Sequence, residues 1–172
     1  MRRMVHIYTG NGKGKTTASL GLAIRALGND FKVYIGQFMK GQIYGELKTL
    51  EKLGVPVERF GTNNCIISPE HVQDIDREKA KAGYERVKEI LKSGEYDLVI
   101  LDEICICPYF KLLTEQQIID LINMKPDNTE LVLTGRYAPE ALFDHADLIT
   151  EMKEIKHYYN TMGLMARDGI ER

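Results

Sequence analysis

Short apolar runs of strand character alternate along this chain with longer stretches of helical character. The strand candidates are residues 4–8, 32–38, 55–60, 97–101, 130–134 and 147–151; helices are expected over 16–28, 45–53, 69–93, 115–123 and 138–144. An alternation of this kind predicts an α/β fold, a doubly wound, mainly parallel sheet with helices on both faces. Two helix starts carry their own chemistry. Ser68 followed by Pro69 suits an N-cap and first-turn pair, and Thr114 with Gln117 three residues on forms a capping box. The segment from about 153 to 172, with Tyr158, Tyr159, Gly163 and Gly169, has no clear period and is expected to pack across the domain as an irregular tail. Without an internal repeat, low-complexity segment or linker, the 172 residues read as a single domain.

Between the first strand and the first helix stands Thr9-Gly10-Asn11-Gly12-Lys13-Gly14-Lys15-Thr16, followed by Thr17. Glycines at alternate positions let the backbone turn its N–H groups inward on one point, where the following helix also aims its positive end. A polyphosphate fits that cradle. Lys15 can reach the outer phosphates as a mobile point charge, and the Thr16 hydroxyl is placed to ligate a magnesium ion bridging them. Thr9 replaces the first glycine of the general pattern and Lys13 is an additional lysine inside the loop; both mark a subfamily. A glycine-rich hairpin turn would account for the glycines but not for Lys15-Thr16 opening an amphipathic helix. The fold expectation therefore sharpens to a P-loop NTPase-like domain that binds a nucleoside triphosphate.

Composition narrows the picture only modestly. Hydrophobic content of 44%, charged content of 28% and a net charge of -2 are those of an ordinary soluble globular protein. No long basic run favours extended nucleic-acid binding. No stretch approaches the roughly 20 apolar residues that span a bilayer, and no signal peptide precedes the first strand, so a cytoplasmic protein away from the membrane is expected. Cys65, Cys105 and Cys107 lack C-x-x-C spacing and read as reduced, partly buried thiols, with Cys105-Ile106-Cys107 alternating as a strand would. His6, His71, His145 and His157 are scattered and suggest no metal cluster.

Other candidate chemistry falls at strand ends. Asp97-Leu98-Val99-Ile100-Leu101-Asp102-Glu103 is an apolar strand closing in two carboxylates, one of which can hold magnesium directly or through water; alternatively both cap the strand in solvent. Thr134-Gly135-Arg136 ends the next strand. Its arginine either reaches the triphosphate with its forked donors or pairs on the surface with Asp144 or Glu140. Gln37-Phe38-Met39-Lys40-Gly41 ends the second strand at the same edge, as lining for a second substrate or, for Phe38 and Met39, as core. Arg25 is by spacing a solvated or paired side chain, and Lys153, Lys156 and His157 form a small basic group that attracts an anion or is simply solvated.

Taken together, Tyr8 to Thr17, Gln37 to Gly41, Leu101-Asp102-Glu103, Leu133 to Arg136 and Ala146 to Met152 resemble the ATP:corrinoid adenosyltransferases, and the stretch from Lys156-His157 through Gly169-Ile170-Glu171 looks like that family's tail. The resemblance implies a homodimeric ATPase-like fold and an unusual reaction. A cobalt(I) corrinoid of cobalamin or cobinamide type attacks C5′ of ATP and tripolyphosphate leaves; ATP lies reversed, with its γ-phosphate where related enzymes hold an inner one. A reduced cobalt needs no general base, so the protein must chiefly align it with C5′ and neutralise the leaving group. Carried over residue by residue, Gly10, Asn11, Gly12, Lys13, Gly14, Lys15, Thr16, Thr17, Arg25 and Arg136 bind the nucleotide. Thr16, Glu103 and Asp102 serve Mg2+, and Lys15, Arg136 and Glu103 act at the reaction centre. An electron-donating reductase is the further partner implied.

The departures from the family lie on the corrinoid side. Gly61-Thr62-Asn63-Asn64-Cys65-Ile66-Ile67 stands where many members carry an aromatic segment after the third strand, and Cys105-Ile106 where Asn-Tyr is common. Longer members also carry an amino-terminal arm before the first strand. Three other classes use the same loop: an ATP-hydrolysing switch in which Glu103 polarises water, a small-molecule kinase, and a non-catalytic nucleotide-binding protein.

Overall fold

The structure, a computed structural model, describes residues 3–42, 44–64 and 66–171. Cys65 lies outside the described residues. Six strands form one sheet: β1 (Val5–Thr9), β2 (Val33–Phe38), β3 (Val57–Phe60), β4 (Leu98–Asp102), β5 (Glu130–Thr134) and β6 (Leu148–Glu151). Their order is β3-β2-β4-β5-β1-β6, and every neighbouring pair is parallel. Parallel register brings all six carboxyl ends to one edge, with Gln37 beside Asp102 and Tyr8 beside Thr134. The strand predictions hold within two residues at either end.

The central strands are buried on both faces, as continuous apolar runs require of a parallel sheet. Alternation along β4 divides the core in two. Leu98 and Ile100 meet α1 (Lys15–Leu27) and α2 (Gly45–Lys52) through Ala23, Ala26 and Leu50. Val99 and Leu101 face α3 (Asp74–Ser93) and α4 (Glu115–Met124) through Val87, Leu91, Ile118 and Leu121. Only β6, at the sheet edge, is exposed along its whole length. Among the described residues no helix is long and apolar enough to cross a membrane.

The helix expected over 69–93 is two elements. Pro69–His71 makes a 3-10 turn, and α3 begins afresh at Asp74 because the Asp76 carboxylate accepts the Gln73 N–H at 2.9 Å and caps a new start. Ser68 therefore precedes the turn, not the long helix, and its hydroxyl meets His71 Nδ1 at 2.8 Å. The Thr114–Gln117 capping box forms as expected. The segment 138–144 is a 3-10 helix over Glu140–His145, preceded by Pro139, which lacks an N–H to donate. In the tail, the irregular reading is corrected by one short helix, α5 (Tyr158–Met162), capped by the His157 ring. Cys105 and Cys107 belong to no strand. Both are fully buried, Cys105 inside a 3-10 turn over Ile104–Ile106 and Cys107 just after it, and burial pushes both thiols up.

One contact fixes α3 on the sheet. A Cβ on Gly83 would stand 2.4 Å from Phe60 Cγ, and the Phe60 ring is itself buried, 5.2 Å from that of Phe38. Helix propensity favours Ala over Gly by about 1 kcal/mol, whereas forcing a methyl into a filled core costs roughly 1–3 kcal/mol. The clash is the larger effect, so Gly83→Ala should lower the urea midpoint; a raised midpoint would show that Phe60 can yield.

Candidate active site

The loop between β1 and α1 is held in shape from outside. Gly10 and Gly14 take φ values of +100° and +111°, which side-chain-bearing residues rarely adopt. A Cβ at Gly10 would come within 2.4 Å of the Met152 carbonyl oxygen, because the chain leaving β6 lies directly on the loop. Backbone hydrogen bonds fasten it there: Met152 N–H to Thr9 O at 2.8 Å and Gly12 N–H to Met152 O at 2.7 Å. The Asn11 side chain accepts the Glu154 N–H at 3.1 Å. Asn11 and the Gly12 amide thus brace the loop instead of turning into the cradle.

The remaining loop residues open on a cavity of about 780 Å³ at the carboxyl edge of the sheet. Lys13, Lys15, Thr16, Thr17, Glu103 and Arg136 line it, so the resemblance-derived residues converge. Lys15 is only 6% exposed and donates to Gly12 O at 2.7 Å. Burial lowers its pKa, with Glu103 opposing. A phosphate oxygen would replace that carbonyl as a stronger acceptor. Arg136 projects exposed into the same space, not onto Asp144 or Glu140. Arg25 is not brought in: it lies in the last turn of α1 and lines a smaller cavity with Arg3, Phe31 and Glu130.

Beneath Thr16, Lys40 and Glu103, and not itself part of the lining, sits Asp102, 1% exposed. Its Oδ1 accepts from Thr16 Oγ1 at 2.8 Å and Thr134 Oγ1 at 2.6 Å, and its Oδ2 from Lys40 Nζ at 2.6 Å and Gln37 Nε2 at 3.4 Å. Glu103 follows with φ +61°, its N–H donated to Thr134 Oγ1 at 3.0 Å and its carboxyl turned toward the cavity. Burial, then the Asp102 charge, pushes the Glu103 carboxyl up. Met39 and Tyr137 share the left-handed conformation, so the chain leaves β2, β4 and β5 through strained positions beside the same cavity. Gly135, at φ +146°, lets that turn pack against the segment at Ile106, where a Cβ would stand 2.9 Å from the Ile106 nitrogen.

Two parts of the lining escaped the sequence reading. One is the tail: the Glu171 carboxylate accepts from Lys13, Tyr158 and Arg167, which holds it well below the usual carboxylate range, and Gly169, Ile170 and Glu171 close the loop side of the cavity. Such a long-range pairing leaves no local signal. The other is a set of apolar side chains, Ile66, Ile67, Ile106, Tyr109, Phe110 and Tyr137, in the same lining as the phosphate loop. Tyr109 packs against both neighbours, with ring centroids 5.1 Å from Phe110 and 4.9 Å from Tyr137. Aromatic surface missing after β3 is thus supplied by segments after β4 and β5.

A phosphate loop opening α1, an acid pair ending an interior strand and a parallel sheet define a P-loop nucleotide-binding enzyme fold. The chain belongs to the ATP:corrinoid adenosyltransferase family: the family model described as ATP:corrinoid adenosyltransferase BtuR/CobO/CobP matches residues 1–172. The corrinoid adenosyltransferase CobA of Salmonella typhimurium is 32% identical over 171 residues, covering 99% of this chain and 86% of its own length. A corrinoid adenosyltransferase of Sinorhizobium sp is 35% identical over 172 residues, covering 98% and 79%. An uncharacterized Nostoc protein, all2391, is 35% identical over 181 residues; the match takes in 97% of this chain but only 47% of that longer protein.

Two substitutions test the loop. Lys15→Ala removes a charge-assisted contact and should weaken ATP binding about tenfold or more by calorimetry; unchanged affinity would contradict its role. Glu171→Gln removes the anion that occupies Lys13 and should tighten ATP binding severalfold, with looser binding showing instead that the tail helps hold the nucleotide.

Proposed function

We propose that this protein transfers the 5′-deoxyadenosyl group of ATP to the cobalt(I) of a corrinoid and releases tripolyphosphate. The observation that carries the reading is that one cavity joins two kinds of lining: Lys13, Lys15, Arg136 and the loop backbone, and the aromatic and aliphatic side chains of Ile66, Ile67, Ile106, Tyr109, Phe110 and Tyr137. The cations suit the triphosphate and the apolar side chains a macrocycle. In the reaction the cobalt electron pair forms the Co–C5′ bond while the C5′–O bond breaks, and its electrons leave on the tripolyphosphate oxygen. No proton need move, which agrees with a site whose acids are occupied or buried. Lys15, Arg136 and the free loop amides meet the charge that develops on the leaving oxygen.

Magnesium suits the donor set, which is hard oxygen throughout. Thr16 gives its hydroxyl hydrogen to Asp102 and keeps its lone pairs for the ion, while Glu103 offers a carboxylate from the same cavity. Gln37 Oε1, buried beside Asp102, has no hydrogen-bond partner among the described residues, an orphaned acceptor next to the acid pair. Among the described residues no three His, Cys, Asp or Glu side chains converge to hold a metal by themselves, so the ion would enter with the phosphates, whose negative charge it would offset. A homodimer, a separate reductase that delivers cobalt(I) and a cytoplasmic location complete the reading on the family's pattern.

Incubation with ATP, magnesium and a chemically reduced corrinoid, followed by identification of the phosphate product, tests it. Tripolyphosphate formed only with the corrinoid is expected. ADP or orthophosphate formed without the corrinoid would overturn the reading in favour of a kinase or hydrolase.

A further inference from the structure

Lys40 takes no part in the steps above, yet its backbone is constrained on several sides. Met39 before it is left-handed at φ +59°. A Cβ on Gly61 would stand 2.4 Å from the Lys40 nitrogen, and one on Gly41 would stand 2.2 Å from the Thr62 carbonyl carbon. The loops after β2 and β3 therefore lie backbone against backbone, and only glycine permits it. The side chain that emerges is 14% exposed; its ammonium lies 5.1 Å from the Tyr44 ring centroid and 2.6 Å from Asp102 Oδ2.

The consequence follows from the acceptor capacity of Asp102. Thr16 and Thr134 take one oxygen, Lys40 and Gln37 the other, so both oxygens are engaged and the charge is matched by one buried cation. Glu103, the next residue, opens on the same cavity. Without Lys40, the Asp102 charge beneath that space would be left unmatched beside Glu103, and a pair of carboxylates attracts a divalent cation on its own.

We infer that Lys40 is a positioning residue for the metal: it keeps Asp102 in the outer shell, bound to the Thr16 hydroxyl, and leaves Glu103 as the acid that meets the ion. The nucleotide-free site then has little hold on a divalent cation, and the ion enters with the triphosphate in the geometry the phosphates impose. This rests on the transferase reading only in taking ATP with its metal as the substrate.

Manganese(II) alone, titrated by electron paramagnetic resonance without nucleotide or corrinoid, reads the inference directly. Lys40→Met should bind the ion at least tenfold tighter than the unaltered protein, because Asp102 is released. Lys40→Arg should keep the weak binding, and adding Asp102→Asn to Lys40→Met should abolish the gain. With MgATP varied at saturating corrinoid, Lys40→Met should lose kcat more than it raises KM. Manganese binding that is no tighter in Lys40→Met, or a gain that survives Asp102→Asn, overturns the inference. Should circular dichroism show Lys40→Met unfolded, Lys40→Gln carries the same expectation, since it also removes the charge. A failed transfer assay would sink the reaction but not this result, and an unaltered manganese affinity would leave the reaction standing.

Discussion

The site is organised around one buried carboxylate. Asp102 joins α1 through Thr16, β5 through Thr134, and the end of β2 with its following turn through Gln37 and Lys40, so three segments distant in sequence share a single acceptor. A lone buried charge is costly, and a fully hydrogen-bonded, charge-matched one is tolerated. Removing a single donor therefore disturbs the other three, and the phosphate loop, the acid pair and the strand ends hold their positions together.

Parallel pairing makes this convergence possible. All six strands deliver their carboxyl ends to one edge, and the chain must turn sharply as it leaves each. At Met39, Glu103 and Tyr137 the turn uses a left-handed residue with a side chain, a conformation that costs about 1–3 kcal/mol at each position. The apolar core beneath, larger on the α3 and α4 side of β4 than on the α1 and α2 side, is what sustains that strain. Stability lies in the sheet centre and chemistry at its edge.

The loop is braced from its far side by the chain leaving β6, which spends the Gly12 amide and the Asn11 side chain on support. Its front is covered by the tail, whose Glu171 occupies Lys13 much as a phosphate would. The cavity presents its positive charge unevenly in consequence. Lys15 and Arg136 face inward, while Lys13 is neutralised by the protein's own anion.

Local signals in the chain were enough for the strands, the loop, the acid pair and the Thr114 cap, because each depends on neighbours a few residues away. The break before α3 was not legible, since the Asp76 carboxylate that caps it looks like any acid in a helical stretch. Nor was the neutralisation of Lys13 or the apolar lining from Tyr109, Phe110 and Tyr137, whereas the spacing of Arg25 did mark it as solvated or paired and only the resemblance drew it to the nucleotide. Composition and spacing determined that a triphosphate cradle would stand at the edge of a parallel sheet. Which loop lysine is paired with the protein's own acid, which acid is spent on its neighbours and which apolar side chains line the cavity were decided only by tertiary packing, because those roles belong to residues separated by dozens of positions.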